Sequence, residues 1–156
     1  MRPFAIFLPC FIFVSCGHLI SVGDRLDFGP LESGLWQYSD SGKCLVVYSE
    51  TGMCAECWAK QFVFWQLRIN GIQQAESRMT VAFVLAPSRK DDIEIIQNIT
   101  IENAAIMIDS TRYFRRNNHL HRNGENNCFV VDRSNKVLYM GNPLFSMDQW
   151  NEILSL

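Results

Sequence analysis

The sequence predicts one α/β domain. Apolar β-rich runs alternate with segments of helical periodicity, two such runs close a hairpin near the end, and 156 residues suit a single core. The composition fits that reading: 48% of residues are hydrophobic and 19% charged, far from the profile of a disordered chain. A formal charge of −2 gives no electrostatic case for nucleic acid, so no nucleic-acid partner is expected.

The first residues read as an address rather than as fold. Met1-Arg2-Pro3 is a short basic start, and an apolar run from Phe4 to Val14 follows, broken only by Pro9. That run is short for a permanent span and resembles a signal-peptide core, so 1–15 are assigned to a signal peptide. It ends Phe13-Val14-Ser15-Cys16, similar to the lipobox of bacterial lipoproteins, with Phe13 where leucine is usual. Cys16 is therefore the lipidation candidate and the route to a membrane. Simple secretion with a later cut, and an uncleaved anchor, are the alternatives. Residues 16–33 hold Gly17, Gly23, Gly29 and Pro30 with little periodicity, and read as a tether or an irregular N-terminal segment.

The folded domain is expected over 34–156. Residues 35–38 read as an edge strand before the turn at 39–42. Cys44-Leu45-Val46-Val47-Tyr48 is a strand, and 55–69 a helix with Trp58, Phe62, Trp65 and Ile69 at helical spacing, Trp58 and Trp65 sharing a stripe that reads as core. A second strand spans 80–85 and stops at Pro87; a helix covers 91–99; 104–108 form a third strand. A polar helix or loop fills 110–118. Strands 128–131 and 137–140 pair across Asp132-Arg133-Ser134-Asn135, and a short amphipathic helix over 147–154 closes the chain.

The chemistry lies in Cys54-Ala55-Glu56-Cys57, a C-x-x-C between a buried strand and a helix. Cys54 falls at the helix N-terminus, where unpaired N–H groups and the helix dipole favour a thiolate. Cys57 lies three residues on along the same face, within reach of a disulfide. An exposed attacking thiol beside a buried resolving partner suits thiol–disulfide exchange. A structural bridge is the bland alternative. Zinc is the third, and it lacks ligands beyond the dithiol and the loop pair His119 and His121.

Cys44-Leu45-Val46-Val47-Tyr48, the C-x-x-C, Phe129-Val130-Val131-Asp132-Arg133-Ser134-Asn135-Lys136 and Gly141-Asn142-Pro143 together resemble the thioredoxin-like lipoproteins and TlpA-type thiol–disulfide oxidoreductases of bacterial envelopes. The resemblance runs from about residue 35 to the end. It implies a thioredoxin-like fold: a central mixed β-sheet flanked by helices, with a C-terminal β-hairpin and helix. It also implies no bound cofactor and no metal, a monomer, and electron exchange with protein thiols through Cys54 and Cys57 in a lipid-anchored protein facing the periplasm. Two positions differ from that family. Its proline before the strand at 129–131 is absent from Gly124-Glu125-Asn126-Asn127-Cys128, where Asn126 or Asn127 takes its place, and Met53 replaces the usual aromatic before Cys54.

Smaller features carry two readings each. Glu56 either opposes thiolate formation or is a solvated first-turn residue. Cys128 either faces the dithiol and its substrate or fills the core, and a Cys44–Cys128 bridge is a further option. Asp109 suits either a ligand-facing strand end or a helix cap. Arg112, Arg115, Arg116, His119, His121 and Arg122 form a basic stretch that meets an acidic partner or membrane, or is simply solvated.

Overall fold

A computed structural model describes residues 19–31, 42–50, 55–74, 79–120 and 127–156. Five strands form one mixed sheet: β1 (Lys43–Glu50), β2 (Thr80–Ala86), β3 (Ala104–Ile108), β4 (Cys128–Asp132) and β5 (Val137–Gly141). Their spatial order is β3-β2-β1-β4-β5. β1, β2 and β3 run parallel, as the intervening helices require, while β4 pairs antiparallel with β1 and hairpins into β5. Among the described residues four α-helices accompany the sheet: α1 (Ala55–Gln74), α2 (Lys90–Gln97), α3 (Tyr113–Asn117) and α4 (Met147–Leu154).

The strand centres are apolar because both sheet faces are covered. Alternation along β1 sends Leu45 and Val47 to one face and Cys44, Val46 and Tyr48 to the other. The first face packs under α1, α2 and α4 through Phe62, Trp65, Ile69, Ile72, Ile96, Trp150 and Ile153. Phe83 anchors this layer, meeting Phe62 and Trp65 edge-on at centroid distances of 5.2 and 5.6 Å. The second face is covered by Phe114 of α3 and by Leu26 and Phe28 from the N-terminal segment.

That segment is irregular, and it is also packed. The Gly23 N–H donates to Val137 O and the Leu26 N–H to Asn135 O, while Val137 N–H returns a bond to Asp24 O. Leu26 and Phe28 are only 3% and 1% exposed, so residues 19–31 act as a strap along the sheet rather than a loose tether. Asn118 fastens it. Its side-chain oxygen accepts the Asp27 N–H at 2.7 Å and its amide donates to Asp27 O at 2.8 Å. Gly29, at φ +49°, lies so close to the Tyr113 ring that a Cβ would come within 2.4 Å of it.

α1 runs past its expected end because Ile69 and Ile72 continue the buried stripe across Gly71. The strand expected at 35–38 lies outside the described residues.

Candidate functional site

β1 ends at Glu50, and α1 begins at Ala55. The C-x-x-C therefore occupies the passage from the central strand into the helix that covers one sheet face. Cys54, Asn126 and His121 lie outside the described residues, as does the side chain of Glu56, whose backbone is in α1. Cys57 sits in the first turn of α1 with its side chain exposed. The expectation of a buried second thiol is corrected at this point: the helix turns Cys57 outward, whereas Phe62 and Trp65, five and eight residues on, point into the core.

The outward face of α1 continues from Cys57 as an apolar surface. Phe64 and Leu67 are 52% and 68% exposed, with Val63 beside them. Phe64 meets Phe145 edge-on at 6.1 Å, and Phe145 is itself 75% exposed, next to exposed Met147. Lys60 is the charged residue on this stretch, and Arg68 borders it with its guanidinium 5.1 Å from the Trp150 ring.

The other cysteines are core. Cys128 is 2% exposed on the α1 side of the sheet, and burial pushes its thiol up to about 12. Cys44 is fully buried on the opposite side, and its thiol is raised further still by the same cause. β1–β4 register pairs Cys128 with Val47 and Cys44 with Val131, so the two thiols face away from each other through the sheet. A Cys44–Cys128 bridge is thereby excluded. The substrate-facing reading of Cys128 also gives way to the core one, because a buried neutral thiol neither meets a partner nor attacks. Asn127 is half-buried and gives its backbone carbonyl to the Tyr48 N–H at 2.8 Å, extending the β1–β4 pairing by one residue toward the dithiol end.

Asp109 proves to be a cap. Its carboxylate accepts the Tyr113 and Phe114 N–H groups at 2.8 and 2.9 Å and starts α3. Two residues of the basic stretch are not simply solvated: Arg112 Nε lies 3.2 Å from Glu50, and Arg115 hydrogen-bonds the other Glu50 oxygen. Glu50 thus ties the last residue of β1, four before Cys54, to the start of α3. Sequence reading missed this pair because 65 residues separate its partners. It also missed that the Tyr48 hydroxyl, buried under Phe114 at 5.5 Å between centroids, has no hydrogen-bond partner among the described residues. Among the described residues no three His, Cys, Asp or Glu side chains gather as metal ligands.

A mixed sheet of this order, entered by a helix with a cysteine in its first turn, defines a thioredoxin-like fold. The chain superposes on a Chlorobium tepidum protein assigned as the thiol:disulfide interchange protein DsbE, with a TM-score of 0.52 and 15% identity over 88% of this chain and 99% of that one. It superposes similarly on a thioredoxin-like protein from Parabacteroides distasonis, with a TM-score of 0.51 and 11% identity over 89% and 100% of the two chains. At such identities the likeness is one of fold. No protein-family pattern matches the chain, and no curated protein matches it.

Proposed function

We propose that this protein is an exported thiol–disulfide oxidoreductase that exchanges electrons with protein thiols through Cys54 and Cys57. The observation that carries the reading is Cys57 exposed in the first turn of α1, directly after the central strand of a thioredoxin-like sheet. Reduction of a partner proceeds in two displacements. The Cys54 thiolate attacks one sulfur of the partner's disulfide, forming a mixed disulfide and releasing a partner thiolate that takes up a proton. Cys57, after losing its proton, attacks the Cys54 sulfur and releases the second partner thiolate. Two electrons have then passed to the partner, and a Cys54–Cys57 disulfide remains. Oxidation of a partner is the same sequence reversed. The apolar surface of Phe64, Leu67 and Phe145 supports a protein as the partner, since it offers packing area along the helix that carries Cys57. No cofactor takes part.

The signal-like start and Cys16 support export and lipid anchoring in a bacterial envelope, with the domain facing the periplasm as a monomer. Among the described residues no helix is long and apolar enough to cross a membrane.

The test is a Cys57→Ser trap. This variant retains the attacking thiol and lacks the resolving one, so it accumulates mixed disulfides that a reductant releases and that the Cys54→Ser/Cys57→Ser chain does not form. A trap that captures nothing overturns the proposal. The second reading, a binding module with a structural Cys54–Cys57 bridge, draws on Asn126 and Asn127 standing where the related family has proline. A dithiol potential below about −300 mV favours it.

A further inference from the structure

We infer that the sheet face covered by the strap and α3 is held against the bilayer, on anionic lipid headgroups, so that α1 and Cys57 face away from the membrane. This rests on the reading of Cys16 as the lipidated residue.

Tether length is the first argument. Asp24 accepts both the backbone N–H and the hydroxyl of Ser21, at 2.9 and 2.8 Å, so the strap is ordered from Ser21 onward. Ile20 already packs against the core on the α3 side. Residues 17–20 then separate the lipidated position from the folded body, and four residues reach at most about 14 Å. A domain of this size has a radius of gyration of roughly 14 Å, hence a diameter well over twice the tether's reach. A tether that short does not let the domain turn over. The face it leaves from is the face the bilayer meets, and the five-stranded sheet stands between that face and α1.

The surface chemistry at that exit is the second argument. Leu19 and Val22 are 48% and 60% exposed beside the tether and suit burial at the headgroup boundary. Arg25 and His119 are exposed near the same exit. Arg25 and His119 line a recess of about 290 Å³ together with Ile20, Asp24, Asn117 and Asn118. The acidic groups here are engaged within the fold: Asp24 by Ser21, and Asp27 by Tyr113, Asn117 and Gly29. No Asp or Glu occurs between Asp109 and Glu125 in the sequence; of the arginines there, Arg112 and Arg115 pair with Glu50 and Arg116 is exposed. Apolar side chains with Arg25 close by, next to an acyl anchor, form the two-part signal that stable membrane apposition needs.

The lysines report the orientation. Lys136 is exposed beside the strap, its backbone paired antiparallel with that of Arg25, whereas Lys60 and Lys90 are exposed on α1 and α2 on the far side of the sheet. The full chain is produced with its own leader in an envelope-bearing bacterium and reconstituted in vesicles of phosphatidylethanolamine and phosphatidylglycerol. It is then labelled with a membrane-impermeant lysine reagent, alongside the Cys16→Ser chain. Labelling of Lys136 is expected to fall by about threefold or more in the vesicle-bound protein, as burial at the headgroup boundary implies, with Lys60 and Lys90 unchanged. Equal labelling of all three, or protection of Lys60 instead, overturns the orientation. Intact mass separates the two claims. Acyl mass on Cys16 with a flat lysine pattern refutes the orientation alone, and no acyl mass refutes the anchor and the orientation with it.

Discussion

Replacing Asn118 by alanine tests how firmly the strap is held. Asn118 is 3% exposed, and its side chain makes three hydrogen bonds: it accepts the Asp27 N–H and donates to Asp27 O and Phe114 O. Each such bond contributes about 1 kcal/mol net, and a partner stranded away from water costs a further 1–3 kcal/mol. Asp27 is exposed enough for water to replace part of what it loses, so the whole change is worth about 3 kcal/mol. Against a typical total of about 5–15 kcal/mol the domain stays folded, with a melting midpoint lower by about 10 °C. Urea unfolding measures the loss, and amide exchange locates it. The Gly23 and Leu26 N–H groups, which bond Val137 O and Asn135 O, are expected to exchange far faster while β2 amides keep their protection. A loss under about 0.5 kcal/mol, or unchanged exchange at Gly23 and Leu26, refutes the strap as a hydrogen-bonded element.

Three further outcomes are expected. After mild reduction, alkylation of the native protein modifies Cys57, and mass mapping finds Cys44 and Cys128 unmodified until denaturant is added. Stability falls in alkali: both buried thiols have raised folded values, so their contribution is complete below about 9 and is lost as the pH climbs toward 12 and the unfolded chain alone ionises. The slope is roughly 1.4 kcal/mol per pH unit per thiol, and Cys128→Ala should show a smaller drop in melting temperature between pH 8 and 10.5 than the parent. Tyr48→Phe removes a buried hydroxyl that has no partner among the described residues, so the unfolding free energy from urea titration should hold or rise by about 1 kcal/mol rather than fall.

What the sequence made legible is what local pattern encodes. β3 and α4 fall at their expected bounds because Ala104–Ile108 is an uninterrupted apolar run and Ser146 caps a helix with Trp150 and Ile153 on one side. The position of the C-x-x-C between β1 and α1 was legible for the same reason, since a strand followed by a helix is a local signal. The strap was only half legible. Its glycines announce irregular backbone, but nothing near Leu26 and Phe28 reveals that Phe114, far along the chain, closes over them at 5.0 Å from Phe28. Glu50 with Arg112 and Arg115, and Asn118 with Asp27, are pairings across 65 and 91 residues, which no periodicity reports. The outward turn of Cys57 depends on how α1 is rolled on the sheet, and that roll is decided by Phe62, Trp65 and Ile69 meeting Phe83 and its neighbours.

The back-to-back placement of Cys44 and Cys128 has a consequence for how the chain matures. Neither thiol is protected by anything local; each is sealed only when β1 and β4 come together across some eighty residues of sequence. Such long-range pairing is slow to form compared with helices. On the proposed export route the chain meets oxidants while that pairing is still incomplete, so collapse competes with mispairing, and a wrong bridge to either cysteine holds the sheet open. A mutation that delays β1–β4 closure would therefore show itself as scrambled disulfides in newly made protein, even where the finished fold is hardly weakened.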